Sequence, residues 1–199
     1  MRSLLLAAVG LLLAACESAP PVKSVQLVEG DIVATAPAGF CVDQTTSRPA
    51  TGFAVMAPCA TLGGGDAIPD VLGVATVQVG AAGSGSVAGA EDDLRDLLQS
   101  DAGAQLLSPS GQGDQIDVKD AEAGENTVRV YFSDAGTPPI DGMQSEEWRA
   151  FTDIAGRLVT VGVRGLAAAP MEKETGAWLL GLVVNGLVPT QTAVSPTSG

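Results

Sequence analysis

The amino-acid sequence predicts an α+β fold: a single domain with one antiparallel sheet of about seven strands and two helices packed on it. Three observations predict it. Segments that alternate apolar and polar residues recur from Val25 to Arg164, separated by turn residues. Apolar residues fall at helical spacing in two stretches, one midway and one near the end of the chain. Hairpin signals join several of the strands, so the helices are expected to lie on the faces of an antiparallel sheet.

Val25 to Val28 and Asp31 to Thr35 flank Glu29-Gly30 as a small hairpin. Pro37-Ala38-Gly39 turns the chain into Phe40-Cys41-Val42. A polar loop, Asp43 to Thr51, leads to a strand over Gly52 to Ala57 that ends at Pro58-Cys59. Gly63-Gly64-Gly65-Asp66 is a loop before a strand over Val71 to Val79. Gly80 to Gly89, rich in Gly, Ala and Ser, reads as a flexible connection. Glu91-Asp92-Asp93 opens a helix with carboxylates in the first turn, where the helix dipole favours them. Leu94, Leu97 and Leu98 give it an apolar face, and Ala102-Gly103 is its expected stop.

Strands over Gln115 to Lys119 and Thr127 to Ser133 flank a turn at 122–125. Glu147 to Ile154 and Arg157 to Arg164 flank Ala155-Gly156, a two-residue hairpin signal. Trp148, Ala150, Thr152 and Ile154 share one face of the first of these strands, and Val159, Val161 and Val163 share a face of the second. The last helix is expected over Pro170 to Val188, with Met171, Trp178, Leu179, Leu182 and Val183 at helical spacing. Gly176, Gly181 and Gly186 weaken it, so packing must hold it. Its run from Ala177 to Val184 is apolar on nearly every side, which points to a buried helix or a partner contact. The domain is expected to span 25–188, and the Pro/Thr/Ser-rich residues 189–199 to form a disordered tail. This element order resembles the PsbP/Mog1-like sandwich, in which a Pro-x-Gly-aromatic turn follows the first strands and a helix closes the chain. Pro37-Ala38-Gly39-Phe40 and the helix ending near Val188 carry the likeness, which implies a fold and no activity.

The chain starts Met1-Arg2-Ser3, continues with an apolar run from Leu4 to Ala15, and reaches Cys16. That run is too short for a helix spanning a bilayer core, which needs about 20 residues, and it has the parts of an export signal. Leu13-Ala14-Ala15-Cys16 resembles the lipobox of type II signal peptides. The resemblance implies that residues 1–15 are a signal peptide, that the chain is cut before Cys16, and that lipid on Cys16 holds it to a membrane. An ordinary secretory signal with a chance cysteine is the alternative. Residues 16–24 would be a lipidated tether lifting the domain some ~25 Å from the lipid. Glu17 stands where inner-membrane retention signals carry Asp, so in a Gram-negative cell the expected address is the periplasmic face of the outer membrane.

With 23 acidic and 10 basic residues and no histidine, the chain carries a net charge of −13. Such a surface repels nucleic acid and anionic head groups, so membrane contact is expected through lipid alone. After export, Cys41 and Cys59 meet an oxidising compartment, where a disulfide between them would contribute roughly 3 kcal/mol. A metal or redox pair is the alternative. It is disfavoured by spacing far from Cys-x-x-Cys and by the lack of a histidine to complete a zinc site.

The same lack removes Ser-His-Asp chemistry. The mature chain has no Gly-x-Ser-x-Gly elbow and no phosphate-binding glycine motif opening a helix. Carboxylates remain. Asp114, Asp117, Asp120, Glu122 and Glu125 are the densest acidic stretch, but their spacing is not that of a calcium loop. Strand alternation would put Asp114 and Asp120 on one face and Asp117 on the other, and a solvated turn is the expected reading. No catalytic residue, metal ligand or cofactor site is nominated. The expected function is a non-catalytic lipoprotein domain that binds or supports another protein of the bacterial envelope. A carboxylate-dependent envelope hydrolase is the alternative, and a small-ligand carrier stands between them.

Overall fold

The computed structural model describes residues 21–64, 68–138 and 140–190. Residues 1–15, expected as a signal peptide, Cys16, most of the expected tether, residues 65–67, Pro139 and the expected tail beyond Thr190 lie outside the described residues.

The first alternating segments pair as expected, β1 (Ser24–Leu27) with β2 (Ile32–Thr35). They do not join the main sheet. That sheet comprises β3 (Phe40–Val42), β4 (Phe53–Pro58), β5 (Gly73–Val79), β6 (Ile116–Gly124), β7 (Thr127–Asp134), β8 (Glu146–Ile154) and β9 (Arg157–Gly165). Its order is β3-β4-β5-β9-β8-β7-β6, with every neighbouring pair antiparallel. The β8–β9 hairpin turns at Ala155-Gly156, both with positive φ (52° and 71°), the backbone that a two-residue turn needs to match strand twist.

The expected midway helix is two helices, α1 (Glu91–Leu98) and α2 (Asp101–Leu107). Ser100 separates them: its hydroxyl donates to the Leu97 carbonyl and accepts from the Gly103 amide as the cap of α2. Gly103, expected to stop the helix, lies inside α2, because a Cβ there would collide with the end of α1 at Leu97 and Leu98. The last helix, α3 (Lys173–Asn185), is shorter than its apolar pattern. Gly186 sits against the Thr35 carbonyl, where a side chain would clash, and its own carbonyl accepts from the Thr35 amide. Val188, expected at the helix end, lies instead in β10 (Leu187–Pro189), which pairs with β2 and completes a small sheet of order β1-β2-β10.

The large sheet is covered unevenly. On one face Ala54, Met56, Ala75, Val77, Val159, Val161, Trp148 and Ala150 pack under α3 and the small sheet, against Leu179, Leu180, Val183, Leu27 and Ile32. On the other face Val128, Val130 and Phe132 of β7 pack with Leu98 of α1, Leu107 of α2 and Val87. The apolar side therefore switches from one face to the other between β8 and β7. Gly80 to Gly89, expected to be flexible, is tied down across this second face. The Asp153 carboxylate accepts from the amides of Ser86, Val87 and Ala88, and the Ser84 hydroxyl accepts from Leu158.

Both edges of the large sheet are blunted. β3 is short, and Val22 bridges to Val42 along it. β6 has a bulge between Val118 and Asp120 and carries Asp117, Lys119 and Glu122. Cys41 on β3 and Cys59 just after β4 are disulfide-bonded, with Cα atoms 4.9 Å apart. Both are fully buried. Reducing the bond under native conditions should lower unfolding free energy by about 3 kcal/mol, read from urea titrations with and without reductant.

Candidate functional site

Period-two alternation places Glu147 and Arg149 of β8 and Gly162 and Arg164 of β9 opposite the residues that pack under α3. They form a buried ionic network. Arg164 Nε donates to Glu147 Oε2 at 2.7 Å and Arg149 Nε donates to Glu147 Oε1 at 2.7 Å. Arg164 Nη1 reaches the Gln144 carbonyl, and Arg149 Nη1 reaches the Leu107 carbonyl at the end of α2. The Arg149 guanidinium also lies over the Phe132 ring, 5.0 Å from its centroid. Asp134, at the end of β7, stands 3.8 Å from Arg164 Nη2, and its Oδ1 accepts from the Gly136 amide. Two guanidiniums and two carboxylates balance in charge. Glu147, Arg164 and Asp134 are each more than nine-tenths buried.

The network borders a cavity of about 100 Å³, lined also by Val74 and Thr76 of β5, by Gly162, and by Ile140 and Met143 of the loop after β7. Gly162 makes room for it. A Cβ there would come 2.9 Å from Thr76 Oγ1 and 3.0 Å from Glu147 Oε1.

A second candidate lies on the opposite side of the molecule. Leu179, Leu180 and Val183 of α3 face the core, and its outward face carries Trp178, Gly181, Leu182 and Asn185. Trp178 is 57% exposed, against 4% for Trp148. Beside it runs a groove of about 310 Å³ lined by Pro37, Phe40, Pro69, Val71, Trp178 and Leu182. Ile68, just before Pro69, is also exposed. Among the described residues, the apolar run in α3 thus has one side buried and one side uncovered.

The acidic stretch is arranged differently from its expected alternation. The bulge after Val118 resets the phase, so Asp117, Asp120 and Glu122 pair with Ser133, Tyr131 and Arg129 and share one face. Asp114 precedes the strand, in a single helical turn. Asp120 bonds Lys173 at 2.7 Å, Glu122 bonds Arg129 at 2.6 Å, and Asp117 lies 3.6 Å from Lys119. Among the described residues no three Asp, Glu, Cys or His side chains cluster as a metal site would. Tyr131 stacks on Trp148 with centroids 5.1 Å apart, and Lys173 stands over both rings. Burial first, then the Glu146 carboxylate, holds the Tyr131 phenol above its ordinary value. The hydrogen bond to Asp120 holds the Lys173 ammonium above its own.

The Arg149–Glu147–Arg164 network escaped prediction from sequence, although its signal is present. Three ionisable residues occupy positions in β8 and β9 that alternate with buried apolar ones, on a face the sequence assigns to no covering element.

No family model matches the chain, and no curated protein matches it. Solved structures do. A mutant of the protein Mog1 is 13% identical, covering 85% of this chain and 96% of its own, with a TM-score of 0.50. The Ran-binding protein Mog1p of Saccharomyces cerevisiae is 12% identical over 83% of this chain and 93% of its own, with a TM-score of 0.49. Cyanobacterial PsbP from Synechocystis is 14% identical over 89% of this chain and 98% of its own, with a TM-score of 0.48. The class is therefore an α+β sandwich with the fold of the Mog1 mutant, and at 13% identity the likeness establishes the fold alone.

Two outcomes follow from the geometry. Glu147→Gln removes the carboxylate shared by buried Arg164 and partly buried Arg149 and should cost about 3–5 kcal/mol in urea unfolding. Replacing Glu147 and Arg164 together by Leu and Met should cost distinctly less than the single change. Tyr131 is the only tyrosine, so absorbance of the ionised phenol reports it alone, and its midpoint should lie above that of the urea-unfolded chain. A phenol with a raised folded value stabilises the fold below the unfolded value of about 10, and the contribution is lost as pH rises through the folded one.

Proposed function

We propose that the chain is a lipid-anchored protein of the bacterial envelope whose domain is a non-catalytic binding module for another envelope protein. The outer face of α3, which no described residue covers, carries this reading. An exposed tryptophan beside an apolar groove, on a stretch without charge from Ala177 to Asn185, is costly surface for a monomer to leave in water. The partner best suited to it is a protein presenting an apolar segment. Asp70, Glu172 and Glu174 flank the patch and would repel anionic lipid.

The anchor rests on Leu13-Ala14-Ala15-Cys16. Among the described residues no helix is long and apolar enough to cross a membrane. Pro21 is the first described residue, and Val22 is already paired with β3. Lipid on Cys16 would thus hold the domain within about 20 Å of the bilayer. In a Gram-negative cell the same residues favour the periplasmic face of the outer membrane. The hydrolase alternative draws little support from the buried carboxylates. Both Glu147 oxygens accept guanidinium protons, and Asp134 Oδ1 holds the Gly136 amide.

The expected behaviour separates the two parts of the proposal. Cys16→Ser should move the folded, disulfide-bonded protein from the membrane to the soluble fraction; retention in the membrane would remove the anchor. A photo-crosslinking residue at 178 in intact cells should capture one reproducible partner that the same residue at exposed Asp93 does not. The purified partner should bind Trp178→Ala at least tenfold more weakly. Absence of a site-specific crosslink, or equal affinity for the variant, would remove the binding surface.

A further inference from the structure

Asp134 closes β7 with more than nine-tenths of its surface buried, and only one of its carboxylate oxygens is engaged. Oδ1 accepts from the Gly136 amide at 2.8 Å. Oδ2 stands 3.8 Å from Arg164 Nη2, beyond hydrogen-bond reach, while that guanidinium makes its short contacts to Glu147 and the Gln144 carbonyl. Oδ2 accepts no hydrogen bond from a described residue, and it keeps accessible surface. Asp134 lines an open pocket of about 430 Å³ between the segment after α2 and the turn after β7. The Gln115 carboxamide and the Thr137 hydroxyl lie on the same wall, and neither bonds a described residue.

Gly136 lets these acceptors crowd together. Its φ lies outside the left-handed region, so glycine serves here for space and not for backbone freedom. A Cβ there would stand 2.5 Å from Gln115 Oε1 and 2.9 Å from Asp134 Oδ1. Two acceptor oxygens thus approach one small volume, and no described side chain donates to either. Such a pair repels itself until a donor enters.

We propose that this pocket is a binding site for a small molecule bearing a primary ammonium group. The wall offers a carboxylate oxygen, a carboxamide oxygen and a hydroxyl, which suits a head group with three N–H donors and no lone pair. Charge decides between an ammonium and a neutral donor. Asp134 receives no hydrogen bond from Arg164, so an ammonium supplies the charge-assisted bond that the fold leaves unmade, about twice as strong as a neutral one. The net charge of −13 draws cations to the chain, and the open pocket lets the ammonium keep part of its water. This pocket shares no lining residue with the groove beside Trp178, so it does not depend on the partner surface proposed above.

Propylammonium, its N-trimethyl analogue and propanol separate donors, charge and shape. The full-length protein, purified in detergent and nitrogen-labelled, would be titrated with each at about 0.15 M salt, where attraction to surface charge is screened beyond about 8 Å. The Gly136 amide, bonded to Asp134 Oδ1, is the NMR reporter. Propylammonium should shift it saturably, with half-saturation in the millimolar range of about 1–10 mM. The trimethyl analogue has the charge without the donors, and propanol has a donor without the charge. Each should bind at least tenfold more weakly. Asp134→Asn should weaken propylammonium at least tenfold. If that chain fails to fold, Gln115→Ala, at a half-buried position, should still weaken it severalfold. A shift that never saturates, or equal binding of the trimethyl analogue, would reveal only general attraction of cations to an acidic surface and would overturn the proposal. So would propanol binding as well as propylammonium, or unchanged binding in a folded variant.

Discussion

The structure depends on how a single sheet divides its two faces. A strand shows alternate residues to opposite sides, so one sheet can carry two cores only if its apolar positions change phase along the strand order. The change falls between β8 and β7. Trp148 and Ala150 look toward α3, while Val128, Val130 and Phe132 look toward α1 and α2. Each layer of cover therefore spans only part of the sheet. The remaining parts are the acidic face around Tyr131 and the face of β5 and β9 beside the cavity.

The buried charges sit where the second cover runs out. Glu147 and Arg164 lie beyond the reach of α1, and the loop carrying Ile140 and Met143 closes over them only in part. Burying ions is expensive, and the network meets the cost by charge balance and by hydrogen bonds to the carbonyls of Gln144 and Leu107. Gln144 extends it. Its Oε1 accepts from the Met171 amide, which fixes the approach to α3, so the two sides of the sheet are linked through one side chain. A cavity in this setting differs from an apolar void, since its wall contains both a guanidinium donor and a hydroxyl.

Much of the fold was legible in the residues. The β8–β9 hairpin follows from Ala155-Gly156 between alternating segments, and α1 begins at Glu91 where its first-turn carboxylates place it. The disulfide joins Cys41 and Cys59, the pair expected from the sequence. The Mog1/PsbP-like order was readable because turn residues punctuate the chain at nearly every strand end. Boundaries set by distant contacts were not readable. Gly186 ends α3 because Thr35 lies against it, and Gly103 sits within α2 because α1 packs close to it. The bulge after Val118 reversed the expected partition of Asp117 and Asp120, since one extra residue inverts every face after it.

The sequence by itself determined most of the elements and their order, the acidic surface, the absence of histidine chemistry and the lipobox-like start. These are local or additive properties of the chain, readable without knowing what touches what. Only the tertiary structure decided which side of each element is covered. The run from Ala177 to Val184 suits a buried helix or a partner contact equally well from its residues. Packing buries Leu179 and Leu180 and leaves Trp178 in water. Glu147, Arg149 and Arg164, separated along the chain, become one network through the register of β8 with β9. Register and coverage are settled by long-range packing, and no window of sequence contains them.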